Sequence, residues 1–260
     1  MRVAGQPVPE GLRLVTLAER PDLADALEAQ GQSVWPEFLE HDEVADRHWH
    51  HLREDFAAFQ LALIDESELI VASARSAPLS WDGTPLHLPN GWDDQFERTV
   101  LDQRSGVPAN TLGALLIVVD PDRRGEHLGG RMIGAFRACA EVHGFRWLIA
   151  CVRPTLKERY PLVPIESYAR WARDDDLPFD PWIRLHVRLG GQIARPEPHS
   201  MRIAGTVAEW EEWTGMAFPD SGPYVVPGAA AVVEIDRGLD VGIHHDPNVW
   251  IVHDVLVPAE

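Results

Sequence analysis

Residues 111–140 read TLGALLIVVD PDRRGEHLGG RMIGAFRACA, and the fold turns on how that stretch is parsed. Leu112 to Val119 is almost wholly apolar and stops at Asp120-Pro121, which gives the length and boundary of a strand buried on both faces. A turn rich in Arg and Gly follows at once. From Leu128 the apolar residues Leu128, Met132, Ile133, Phe136 and Ala140 fall at helical spacing, so one face of a helix begins where the turn ends. Such a junction gathers unpaired N–H groups, the positive end of the helix dipole and guanidinium groups around one small volume. That volume suits a phosphate. Gly125, Gly129 and Gly130 permit positive φ or close backbone approach, while Arg123, Arg124 and Arg131 add charge-assisted hydrogen bonds.

Neither common nucleotide fingerprint fits, because the turn lacks both a Gly-Lys-Ser/Thr ending and the Rossmann spacing of glycines. It resembles motif A of the GCN5-related N-acetyltransferases, in which Arg or Gln, two residues, Gly, one residue and Gly or Ala wrap the CoA pyrophosphate. The matching run here is Arg124, Gly125, Glu126, His127, Leu128 and Gly129, followed by Gly130. The resemblance implies acetyl-CoA or another acyl-CoA as cosubstrate, with the N–H groups of Ile117, Val118 and Val119 facing the pantetheine arm. His127 stands where the family usually has Gly, and a Cβ there costs energy if φ is positive.

Upstream, Leu12 to Leu17 alternates as a strand and Ala18 to Gln30 reads as a helix. A second helical region follows around Trp35, Phe38, Trp49 and Phe56, which in the family forms one wall of the acceptor cleft. Residues 59–64 and 69–77 read as a hairpin, and Trp92 to Gln103 as a helix leading into the organising strand. This element order matches the resembled family. It implies a GNAT fold of the α/β (α+β) class: a mixed, mostly antiparallel sheet of six to seven strands flanked by helices, with splayed parallel fourth and fifth strands.

Downstream, Gly144 closes the motif helix and residues 146–152, RWLIACV, form the fifth strand. Trp182 to Gly190, WIRLHVRLG, resembles the family's Leu-Tyr-x-x-Leu-Gly-Phe landmark, with His186 where the resemblance places a tyrosine that protonates the CoA thiolate. An imidazole titrating near neutrality would serve the same role. The intervening residues 153–181 are too long for an ordinary connection and too aromatic for a disordered linker, and they read as a lid over the acceptor site. Tyr160 and Tyr168 within them are rival proton donors. Residues 204–260 read as an extension: a capped helix at 206–214, then strands at 225–235 and 249–256. Residues 1–260 thus form a single elaborated domain.

The formal charge of −18 argues against nucleic acid or an anionic membrane as partner and is compatible with a cationic amine. No apolar run approaches the roughly 20 residues that span a bilayer, and the first residues lack a signal-peptide core, so the expected location is cytoplasmic. A homodimer is compatible with the sequence. Cys139 and Cys151 read as buried thiols. His48, His50 and His51 lack partners at ligand spacing and read as a surface cluster, and His244, His245 and Asp246 as a polar loop, so no metal is expected.

The chemistry implied is direct attack of a small-molecule amine on the thioester, with a backbone N–H near Val118 or Val119 holding the oxyanion. Thr111 to Val119 contains no acid, so the general base is sought in Asp82, His87, Asp93 and Glu97. Two rivals remain at this level: an acyl-CoA-binding sensor without turnover, and an acyl-enzyme on Cys151.

Overall fold

The structure is a computed structural model and describes residues 11–32 and 35–257. The first half contains β1 (Arg13–Thr16), α1 (Ala24–Gln32), α2 (Glu43–His48), α3 (His50–Glu54), β2 (Leu61–Ile64), β3 (Ile70–Leu79), α4 (Trp92–Arg104), β4 (Thr111–Val119) and α5 (Leu128–Val142). The second contains β5 (Trp147–Val152), α6 (Ile165–Tyr168), α7 (Pro181–Arg188), β6 (Gln192–Gly205), α8 (Val207–Thr214), β7 (Gly222–Tyr224), β8 (Val233–Asp236) and β9 (Val241–Asp254).

All nine strands join one sheet in the order β1-β2-β3-β4-β5-β9-β8-β7, with β6 pairing β9 as well. Only β4 and β5 run parallel; every other pairing is antiparallel. The crossover between the parallel pair is α5, which lays Met132, Phe136, Cys139 and Ala140 on one face against Leu63, Ala74 and Leu112. On the other face α4 packs Phe96 and Val100 with Leu79, Leu115 and Ile149. Coverage of both faces is what the unbroken apolar run of β4 requires.

The helix ends follow local chemistry. Asp42 caps α2 by accepting from the Val44 and Ala45 amides at 2.9 and 2.8 Å, and Asp180 caps α7 through Trp182 N at 2.9 Å, with Pro181 at its first turn. Thr206 and Glu209 form a reciprocal capping box on α8, which ends at Gly215 in the left-handed region.

The C-terminal part departs from the expected elements. Of the strand expected at 225–235 only the end is strand, in β8; β7 stops at Tyr224, before it, and the chain between them turns at Pro227-Gly228, where Gly228 has a φ of 82°. The last strand starts at Val241, eight residues before the apolar run that signals it. His244, His245 and Asp246, expected in a loop, are therefore strand residues, and His244 and Asp246 are fully buried. The sheet has nine strands where six to seven were expected, because β7 and β8 extend it past β9.

Candidate active site

The parallel register of β4 and β5 runs from Thr111↔Trp147 to Ala114↔Ala150 and stops there, although β4 continues to Val119 and β5 to Val152. The strands part at that point. On the other side of β4 the register with β3 shifts between Arg75↔Leu116 and Ser76↔Ala114, leaving Leu115 as a bulge. The bulge is held from α4, whose Trp92 indole N–H donates to the Leu115 carbonyl at 2.9 Å and whose Gln95 amide donates to the Ala114 carbonyl at 3.1 Å. Beyond the bulge, Asp120 N donates to Val71 O at 3.0 Å. Antiparallel alternation then turns the amides of Val118 and Leu116 toward β3 and those of Ile117 and Val119 toward the open side.

The basic turn lies at the same end. His127 is the N-cap of α5 with a φ of 58°, so its Cβ does sit in the left-handed region, and its side chain makes no cap hydrogen bond. The first-turn amides of a 15-residue helix are thus left without a side-chain cap. Glu126 is engaged by Arg123, with Nη2 to Oε2 at 2.8 Å, while Arg124 is exposed. Gly129 and Gly130 serve packing: a Cβ on Gly129 would come within 3.1 Å of the Trp182 ring, and one on Gly130 within 3.5 Å of Leu185. These two glycines let α7 lie close to α5.

A cavity of about 430 Å³ opens through the gap between the strands. Ala114, Ile117, Ala150 and Val152 line its neck, and Phe136, Trp182 and His186 line the side toward α5 and α7. Toward the N-terminal helices its wall carries Trp35, Trp49 and the carboxylates of Glu28, Glu40 and Asp46. These three acids are exposed, and Glu28 accepts from the Trp49 indole at 3.0 Å. The wall was expected from the second helical region. Its acids were not picked out, because Glu28, Glu40 and Asp46 come from three separate elements with no common spacing.

His186 is 3% exposed and lines the cavity. Burial and the neighbouring His253 hold its pKa well below the usual imidazole value, so the expected titration near neutrality does not occur at this residue. The Arg137 guanidinium approaches His253 Nδ1 at 3.5 Å and can only donate, which places the His253 proton on Nε2 and directs it to His186 Nδ1 at 3.0 Å. Neutral His186 therefore carries its own proton on Nε2. It is a hydrogen-bond donor in the cavity rather than an imidazolium.

Tyr160 and Tyr168 do not line the cavity. They build an aromatic cluster with Trp171 and Phe179, and the Tyr168 hydroxyl donates to Asp180 Oδ2 at 2.9 Å. Burial and Asp180 push the Tyr168 pKa upward, the wrong direction for an acid. Of residues 153–181, only Arg153 lines the cavity; Ile165 and Tyr168 pack with Val249 and Ile251 against β9. The segment is a packed layer on the sheet face where a lid was expected.

None of the four bases sought in the sequence lines the cavity. Asp82 pairs with the exposed His87 at 2.5 Å, and Glu97 is held by Arg47 at 2.9 Å. Asp93 and Asp42 instead form a carboxyl pair behind the cavity wall. Burial raises both; the Asp42 charge adds to the rise of Asp93, to about 8, while the hydrogen bond from Asp93 favours ionised Asp42, so the pair holds its proton on the Asp93 side. Asp93 Oδ2 accepts from Arg202 N at 2.9 Å and Asp42 caps α2, so the pair joins α4, β6 and α2. Cys151 touches the cavity, but desolvation raises its thiol strongly and its 3.1 Å partner is the Ser200 hydroxyl, which supplies no base. A thiolate nucleophile is disfavoured there. Among the described residues there is no group of three or more His, Cys, Asp or Glu that could hold a metal ion, and no helix is long and apolar enough to cross a membrane.

Parting parallel strands beside a bulge, with an uncapped helix N-terminus at the neck, define a GCN5-related N-acetyltransferase; the chain belongs to this superfamily and is an enzyme of the N-acyltransferase type. It is 33% identical over 283 residues to the arginine N-acetyltransferase avaD of Aspergillus versicolor, covering 96% of this chain and 97% of that one. Among solved structures it is similar to the loading GNATL domain of CurA from Lyngbya majuscula, with a TM-score of 0.58 and 16% identity over 94% of this chain and 97% of that one. The GphF GNAT-like decarboxylase in complex with isobutyryl-CoA also gives 0.58, at 17% identity over 94% and 98%. At these identities the two structures show the fold alone. No protein-family model matches the chain.

Proposed function

We propose that the protein transfers an acetyl group from acetyl-CoA to the amine of a small cationic acceptor related to arginine. The observation that carries the reading is the opening of β4 from β5 after Ala114 and Ala150, which connects the uncapped turn at residues 124–130 to an acid-lined cavity. Arg124, the amides of Gly125 and of His127 to Gly130, and the open-side amides of Ile117 and Val119 suit a pyrophosphate and the pantetheine arm that follows it, the Glu126 amide being held by the Arg123 carbonyl. The acceptor of the avaD relative, arginine, has the charge that Glu28, Glu40 and Asp46 would attract.

In this reading the amine gives a proton to solvent or to a mouth carboxylate and its lone pair attacks the thioester carbonyl. An amide of β4 stabilises the oxyanion, a contribution of about 2.7 to 4 kcal/mol per donor. The C–S bond then breaks, the sulfur leaves as thiolate with a hydrogen bond from His186 Nε2–H, and the second proton on the attacking nitrogen passes to that thiolate or to solvent, leaving amide and CoA thiol. A thiol of pKa about 8.5 leaves without a strong acid, so a neutral donor suffices.

Two measurements test this. Titration calorimetry with desulfo-CoA is expected to give binding that weakens about 10- to 30-fold in Arg124→Glu, the scale of one reversed phosphate contact. Thiol release should appear with acetyl-CoA and arginine; binding of CoA without turnover of any amine would leave an acyl-CoA sensor instead. For His186, burial lowers the imidazole pKa, so no limb between pH 6 and 8 belongs to it. His186→Phe is expected to reduce kcat about 10-fold while the midpoint of the pH-rate profile stays in place; a midpoint that disappears would show that His186 titrates after all.

A further inference from the structure

Arg153 follows the last residue of β5 and lines the cavity with a side chain only 15% exposed. Its Nε donates to Asp246 Oδ2 at 2.9 Å and its Nη2 to the Gly228 carbonyl at 2.7 Å, while Trp35 covers the guanidinium at 5.7 Å. Asp246 is itself fully buried and its second oxygen is 3.1 Å from His244 Nε2. These contacts lock the fork in one orientation, yet the Nη1 edge takes no protein partner among the described residues.

The charge around it is not balanced by Asp246 alone. Lys157, 1% exposed and bonded to the Tyr160 carbonyl at 2.9 Å, lies within electrostatic reach of both Arg153 and Asp246. A chain with a formal charge of −18 therefore keeps a locally positive spot on a cavity whose outer wall is acidic. An acceptor bearing only amines would satisfy Glu28, Glu40 and Asp46 while setting a cation against Arg153, and like charges in a desolvated site repel. An anionic group near the amine removes that conflict.

Resting on the acyl-transfer reading above, we infer that Arg153 anchors a carboxylate of the acceptor, so that the substrate class is an amino acid with a second cationic group rather than a simple amine or polyamine. The guanidinium edge presents planar N–H donors that match a carboxylate, and Asp246 fixes its plane. The strand side of the cavity then reads the carboxylate, and the helix side reads the cation.

The test compares arginine with agmatine, the same molecule without its carboxylate, and with arginine methyl ester, using acetyl-CoA and the full chain. Wild type is expected to favour arginine over both by about 100-fold in kcat/KM, mostly through KM, because the site's buried donors stay unpaired without the carboxylate. In Arg153→Gln the arginine-to-agmatine ratio should fall to within about threefold, and Arg153→Lys should recover part of it. If Arg153→Gln does not fold, Arg153→Lys carries the comparison, and an arginine-to-agmatine ratio equal to wild type in it overturns the anchor. Equal use of arginine and agmatine by wild type, or an unchanged ratio in Arg153→Gln, overturns the anchor while leaving acyl transfer intact. A selective loss of malonyl-CoA use in Arg153→Gln also overturns it, since the carboxylate would then be on the acyl group. No turnover with any amine and no desulfo-CoA binding overturns the acyl-transfer reading itself, and this inference with it.

Discussion

Asp93→Asn is expected to stabilise the protein at alkaline pH, and to do so progressively as pH rises from 5 to 8.5. The folded-state pKa of Asp93 is raised from 3.8 to about 8, chiefly by burial and then by Asp42. Between those two values the unfolded chain has released a proton that the folded one retains. Wild-type stability therefore falls as pH climbs through this window, and levels off above about 8. Asparagine has no proton to lose, yet its oxygen can accept from Arg202 N and its N–H can donate to Asp42. The gap between variant and wild type should widen by about 4 kcal/mol between pH 5 and 8.5, or roughly 8–16 °C in Tm. Parallel melting curves at the two pH values check it. A constant gap would mean that the two carboxyls do not share a proton.

Gly91→Ala is expected to cost at least about 4 kcal/mol, or to yield no soluble protein. Gly91 precedes α4 with a φ of 114°, a conformation that side-chain-bearing residues rarely adopt, and a Cβ there would lie 2.4 Å from Ser200 Cα and 2.5 Å from its carbonyl oxygen. Those atoms are backbone of β6 and cannot rotate aside. The helix must instead move off the strand, and the bonds Trp92 N to Ser200 Oγ at 2.9 Å and Arg202 N to Asp93 Oδ2 at 2.9 Å go with it. The same shift draws the Trp92 indole away from the Leu115 carbonyl, so residual folded protein should also lose turnover. Urea denaturation measures the first effect. A loss under about 1 kcal/mol would show that α4 and β6 are not in contact as described.

The strand, turn and helix at 111–140 were legible because each is specified within its own few residues: a two-sided apolar run, Gly and Arg at a chain reversal, and a helical stripe. The strain at His127 was readable for the same reason, once a glycine position was identified by resemblance. Residues whose meaning depends on distant neighbours were not readable. Asp246 looks like loop polarity until Arg153, more than ninety positions earlier, is placed against it. Tyr160 and Tyr168 look like catalytic phenols until Trp171 and Phe179 enclose them. His186 was expected to titrate near neutrality, but burial first, and then His253 on a strand whose partners periodicity cannot reveal, hold its pKa down.

Strand β9 has a consequence for how the chain reaches this state. It is the latest of the nine strands in sequence, yet β5, β6 and β8 all pair with it, and β6 has no other partner strand among the described residues. Its register with β5, Cys151↔Trp250 for instance, joins segments separated by about a hundred residues. Contacts of such high order form slowly, and until they do β5 is an unprotected apolar edge beside β4. The half-sheet β1 to β4 with α5 can assemble from nearer contacts. Refolding should therefore pass through a species with that half formed and β5 uncovered, the stage at which aggregation competes.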